Sequence, residues 1–193
     1  MPETREAGVE CRDWLFPLDE FYRREGRALP RVERVRPEAI PEPERSLLVH
    51  DNDMTPTLEA FHGGDIHIEV WGREVQGSDY FREVVLRLDR DQRPVEFGVN
   101  RIHLDRFGSR ERRLILDEYV PLGRILHLGR VPHRGGPRAF LKVWPDDLMR
   151  RALGLAGPVA LYGRRNTIVN AAGEPLSEIV EILPPGAGRA AGG

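Results

Sequence analysis

The sequence predicts an α+β domain, one antiparallel β-sheet covered by helices. Five strand-like stretches, at 65–73, 79–89, 94–104, 158–170 and 175–184, fall mostly into pairs joined by short turns. Short turns force neighbouring strands to run antiparallel. The stretches between the pairs carry apolar residues at helical spacing and stop at Gly or Pro. A chain of 193 residues is long enough for one domain with a sizeable core.

Residues 1–46 differ in composition from the rest and read as an N-terminal arm. Trp14, Leu15, Phe16, Leu18, Phe21 and Tyr22 form one apolar cluster suited to packing on the body. Arg31 to Arg45 is rich in Pro, Glu and Arg and reads as an irregular linker. The domain proper is expected over 47–185, with a Gly/Ala-rich tail lacking structure over 186–193.

From Leu47 the pattern is regular. Leu47-Leu48-Val49 is a short apolar run, and Asp51-Asn52-Asp53 a turn. Thr55 before Pro56 reads as a helix N-cap followed by proline at the first helical position, and Gly63-Gly64 ends that helix. Ile66, Ile68 and Val70 alternate with His67, Glu69 and Trp71, a strand pattern. A polar turn at 89–93 leads into the strand at 94–104. Ser109 caps a helix through about Tyr119, and a short apolar helix follows to about Leu128. Residues 130–138 read as an exposed loop, and Phe140, Lys142 and Trp144 as a brief strand. Pro145-Asp146-Asp147 begins a helix that Gly154 and Gly157 end. The last hairpin turns at 171–174.

The strand at 79–89 holds the informative residue. Side chains alternate between faces, so Tyr80, Arg82, Val84, Leu86 and Leu88 share one side. Four of these five are apolar or aromatic, which aims Arg82 at the core. A buried guanidinium keeps its charge and needs acceptors opposite it. Those acceptors are either a structural acid or a ligand carboxylate. The final strand repeats the problem. Glu178 lies with Leu176, Val180 and Ile182, Glu181 with Ser177, Ile179 and Leu183, and both sides are half apolar. One acid points inward, either as the ion partner of Arg82 or at the other end of a small ligand.

Several function classes are excluded. A net charge of −2 gives no electrostatic reason for nucleic acid or an acidic membrane as partner. No apolar run approaches the roughly 18 residues of a membrane span, and no signal peptide is visible, so a cytoplasmic location is expected. Cys11 is the single cysteine, which rules out a disulfide framework. The six histidines show no paired-ligand spacing, so no metal is expected, and His67 and His103 read as hydrogen-bonded structural residues. Oligomeric state is not encoded in any of these features.

Five short segments, in order, resemble the chorismate lyase (chorismate pyruvate-lyase) family. They are Leu47 to Thr55, Tyr80 to Leu86, Val120-Pro121-Leu122-Gly123-Arg124, Leu161-Tyr162-Gly163-Arg164-Arg165, and the closing hairpin from Gly173 to Pro185. The resemblance implies helices closing over an internal ligand pocket in the sheet. It implies release of pyruvate from chorismate to leave 4-hydroxybenzoate, with no metal or organic cofactor. By resemblance Arg82 binds the ring carboxylate and Glu181 the oxygen across the ring, with Met54 and Leu122 as apolar walls. The closing hairpin holds one residue more than the family pattern, and if that residue is not an insertion, Glu178 takes the acid's place. Val99 stands where the lyases can carry an arginine, and Arg101 follows two residues on. A second substrate carboxylate needs a second cation, for which Arg101 and Arg165 are the candidates. The same fold serves as the effector-sensing domain of some bacterial transcription regulators, so a non-catalytic domain binding a small aromatic acid is the alternative. Nothing before residue 47 reads as a DNA-binding module.

Overall fold

The structure, a computed structural model, describes residues 13–187. Cys11 and the tail beyond Ala187 lie outside the described residues. In chain order the elements are α1 (Leu18–Arg24), β1 (Arg31–Val35), α2 (Glu44–Leu48), α3 (Met54–His62), β2 (Ile66–Gln76), β3 (Asp79–Leu88) and β4 (Pro94–His103). They continue with α4 (Ser109–Leu116), α5 (Leu122–Leu128), β5 (His133–Arg134), β6 (Pro137–Trp144), α6 (Asp147–Ala152), β7 (Leu161–Asn170) and β8 (Pro175–Leu183). The eight strands form one sheet in the order β1-β6-β7-β8-β4-β3-β2, with β5 beside β7. Every pairing is antiparallel. The predicted fold class is the observed one. No helix among the described residues is long and apolar enough to cross a membrane.

Both faces of the sheet are covered. On one, Leu15, Leu18, Phe21 and Tyr22 from the α1 region and Met149 and Ala152 from α6 pack on Phe81, Val85, Phe97, Val99, Val180 and Ile182. The apolar cluster of the arm therefore caps this face. Arg27 ties it down, donating to the buried Glu83 carboxylate at 2.5 Å while its guanidinium lies 4.0 Å over the Tyr22 ring. The other face carries two separate cores. Leu47, Leu48 and Leu58 of α2 and α3 cover Val84, Leu86 and Leu88. Ile115, Ile125 and Leu126 of α4 and α5 cover Tyr80, Ile102, Ile168 and Ile179. The seam between these two cores is where a cavity opens.

Several local expectations are corrected. The segment 31–45 contains β1, paired to β6 from Arg31↔Trp144 to Val35↔Phe140, and α2. An edge strand exposes one side to water, so charged residues are tolerated there and hide its pattern. The loop expected at 130–138 contains β5 and opens β6. The α3 cap position is Asp53, with extended backbone (φ −63°, ψ 139°), and not Thr55. Pro56 then falls third in the helix, where its missing N–H still costs nothing because the first four amides have no intrahelical partner. Helix α4 stops at Leu116, and Tyr119 leaves it to stack on His67 at 5.3 Å between ring centres. Of the tail expected to lack structure from 186, Gly186 donates to Glu44 Oε1 at 2.6 Å and Ala187 is buried.

Gly163 shows how closely β7 and β8 approach. A Cβ placed there would collide with the Glu181 carbonyl oxygen. Gly163→Ala is expected to destabilise the protein by about 2 kcal/mol, since overpacking a tight contact costs roughly 1–3 kcal/mol. Urea denaturation checks this, and an unchanged midpoint would refute the close approach.

Candidate functional site

The cavity at the seam is walled by Met54 and Thr55 of α3, Leu122 and Gly123 of α5, and the sheet residues Arg82, Glu96, Asn100, Asn166, Ile179 and Glu181. Its volume is about 40 Å³, room for roughly three or four water molecules at about 10–15 Å³ each. A ring-bearing ligand is larger, so it enters only as α3 and α5 part. Two contacts hold that cover shut. Gly123 packs against the Thr55 side chain, where an added Cβ would come within 3.2 Å of Oγ1. Asp53 Oδ2 pairs with His133 Nε2 at 2.8 Å, joining the start of α3 to β5.

Arg82 forms one end. It is 1% exposed, and its Nη1 makes a long hydrogen bond to the Ile115 carbonyl, 3.4 Å. Its Nε has no partner. Burial pulls its pKa down to about 10, with Tyr80 and the nearby Glu118 opposing. The structural-acid reading of this arginine therefore fails: no carboxylate is bonded to it. Glu118 instead accepts from the Tyr80 hydroxyl and from Arg73. Facing Arg82 across the β3–β4 ladder is Asn100, whose Oδ1 is also without a partner.

Glu181 and Glu96 form the other end. Glu181 accepts from Arg164 Nε at 2.5 Å, a fully buried pair. The same guanidinium donates to the carbonyls of His50 (2.8 Å), Asn52 (3.1 Å) and Leu48 (3.3 Å). It thus fixes the turn that leads into α3. Glu96, 4% exposed, has an unpartnered Oε2. Burial, and then repulsion from Glu181, push its pKa well above the carboxylate range, with Arg164 opposing. The register sets the spacing: Arg82 pairs with Asn100 and Leu86 with Glu96, so Glu96 lies four residues of strand from the Arg82 rung, ~14 Å at about 3.4 Å per residue, while Glu181, opposite Gly98, lies two residues from that rung on β8.

The structure brings together Arg82, Glu181, Met54 and Leu122, all in the cavity wall. It does not bring Arg101 and Arg165 there. Arg101 lies on the opposite face, bonded to Asp79 (2.5 Å) with its guanidinium 5.6 Å from the Phe16 ring. Arg165 donates to the Phe16 carbonyl and to Thr167 Oγ1 on that same face. Alternation places Arg164, its neighbour, inward. Glu178 is also outside the cavity, bonded to His103 at 3.0 Å. His67 is hydrogen-bonded to Asp89 at 2.6 Å. Sequence reading missed Glu96, Asn100 and Arg164. Among the described residues no cluster of His, Cys, Asp or Glu is placed to hold a metal ion.

The effector domain of PhnF from Mycobacterium smegmatis shares this architecture, with a TM-score of 0.52, 11% identity, and 68% of this chain on 88% of that one. The fold is chorismate lyase-like. The longer PhnF structure matches with a TM-score of 0.52 and 11% identity, over 70% of this chain, which spans 64% of that protein. A GntR-family transcriptional regulator from Bacillus cereus matches with a TM-score of 0.45 and 10% identity, over 62% of this chain and 92% of that one. No protein-family model matches the chain, and no curated protein matches it in sequence. Within this chorismate lyase-like frame, Arg82 and Glu181 both line the cavity under the covering helices.

Glu96 carries a pH dependence of stability. Its native pKa lies above its unfolded value of 4.5, so the native state holds a proton that the unfolded chain gives up. Stability then falls as pH rises through that window and is unaffected by this group below it. Glu96→Gln removes the titration. The variant is expected to gain on the wild type progressively above pH 4.5. Denaturation midpoints at acid and alkaline pH check this, and a pH-independent difference would refute it.

Proposed function

We propose that this domain binds a small monocarboxylate and does not cleave it, as an effector-sensing domain would. The observation that carries this is the Arg82 guanidinium, buried and without an acid among the described residues, in the wall of the cavity beneath α3 and α5. A planar guanidinium binds a carboxylate through two parallel hydrogen bonds. The ligand's apolar body lies against Met54, Leu122 and Ile179.

Charge counting separates this from the lyase reading. Chorismate carries two carboxylates. Among the described residues lining the cavity, Arg82 is the only cationic side chain, and the nearby Arg164 is engaged by Glu181. Arg101 and Arg165, the candidates for a second carboxylate, face the other way. Arg82 and Glu181 both line the cavity, so the lyase outcome belongs in the same experiment. Purified protein is heated with and without 4-hydroxybenzoate, and pyruvate is followed after chorismate is added. Binding at about 100 times Kd adds roughly 2.7 kcal/mol, which raises the melting temperature by several degrees. Stabilisation without pyruvate is the expected result. Pyruvate release that depends on Arg82 would establish the lyase instead.

A further inference from the structure

The cavity is unbalanced at both ends, and in opposite senses. At the β3 end Arg82 is a cation with no anion. At the far end two carboxyl groups, Glu96 and Glu181, meet one cation, Arg164. Arg164 is spent on Glu181 and on the carbonyls of Leu48, His50 and Asn52. Glu96 is left with no cation, and its Oε2 with no hydrogen-bond partner. The remaining charged groups around the cavity do not help it. Asp53 is paired to His133, and Arg82 stands four residues of strand away.

We propose that the cavity is built for a zwitterion, a small carboxylate held by Arg82 whose far end carries an ammonium group held by Glu96 and Glu181. This rests on the carboxylate-binding reading above and names the ligand's second group. An ammonium supplies the one positive charge that the far end lacks and donors for the free Glu96 oxygen. A neutral ligand end leaves the far end uncompensated, and Glu96 must then keep a proton. An ammonium makes the ionised form of Glu96 the favoured one. Binding of such a ligand therefore releases a proton from Glu96 to solvent, with no bond to carbon made or broken. Sequence inspection alone does not reveal this, because Glu96 gains its neighbour only through the β4–β8 pairing of Gly98 with Glu181.

The test compares 4-(aminomethyl)benzoate with 4-methylbenzoate, which has the same carboxylate and no cation. Both are titrated calorimetrically at pH 7 in buffers of different ionisation enthalpy. The amine is expected to bind at least about tenfold more tightly, a difference of ~1.4 kcal/mol. It should also release about one proton, as one carboxyl titrates. Glu96→Gln should cancel both the preference for the amine and the proton release. Proton release is read on the wild type, so that part stands whatever the variant's folding. Equal affinity for the two probes, with no proton released and Arg82 still required, overturns the zwitterion and leaves the carboxylate reading standing. Absence of binding by either probe overturns both.

Discussion

Arg82→Met is expected to make the free protein more stable while removing its affinity for carboxylates. The guanidinium is buried, its Nε has no hydrogen-bond partner, and among the described residues no carboxylate pairs with it. Desolvating such a charge costs several kcal/mol, and no carboxylate among the described residues offsets it. Methionine fills much of the same volume without a charge. Replacing buried ionic groups with apolar ones of similar size gains about 1–4 kcal/mol in favourable cases, and the upper half of that range is expected here. Loss of the ligand's charge-assisted hydrogen bonds should cost binding roughly 2–5 kcal/mol. The two effects have opposite signs, which is what a site strained toward its ligand produces. Chemical denaturation and calorimetric titration measure them separately. A structural arginine would behave differently: its removal would cost stability.

Arg164→Leu is expected to do the reverse in stability, losing about 3–5 kcal/mol, the usual cost of stripping one partner from a buried pair. Its four recorded partners besides the His50 ring are the Glu181 carboxylate and three carbonyls of the 48–52 segment. Removing it leaves Glu181 buried beside Glu96 with no cation and releases the turn before α3. Adding Glu181→Gln to the same chain should recover part of the loss, because the uncompensated charge goes with it. A loss under about 1 kcal/mol, the scale of a surface pair, would contradict this. The contrast between the two arginines is a contrast of partners, since both are buried on the same face of one sheet.

The Arg82 strand was legible because four apolar neighbours share its parity, and the structure keeps that parity. Arg164 and Arg165 were not separable in sequence. Adjacent residues point to opposite faces, and with both faces covered the apolar pattern favours neither. Only the rung Arg164↔Glu181 decides it. The same ambiguity hid the choice between Glu178 and Glu181. Glu96 and Asn100 left a readable trace: they alternate with Val95, Phe97 and Val99, which gives β4 one apolar side and one with polar residues. That is the pattern of a half-exposed strand, yet both residues are buried. Burial of that polar side comes from α3 and α5, which no local signal in β4 announces. β1 was hidden for the opposite reason, since its exposed edge carries the charges of a linker.

The most direct test of the central claim observes the Arg82 Nε–H itself. In protein labelled with nitrogen-15 arginine, that resonance is identified by its absence in Arg82→Met. Titration with 4-hydroxybenzoate is predicted to move it strongly downfield, as a carboxylate takes up the free donor. A resonance that stays in place while the ligand binds elsewhere would contradict the account.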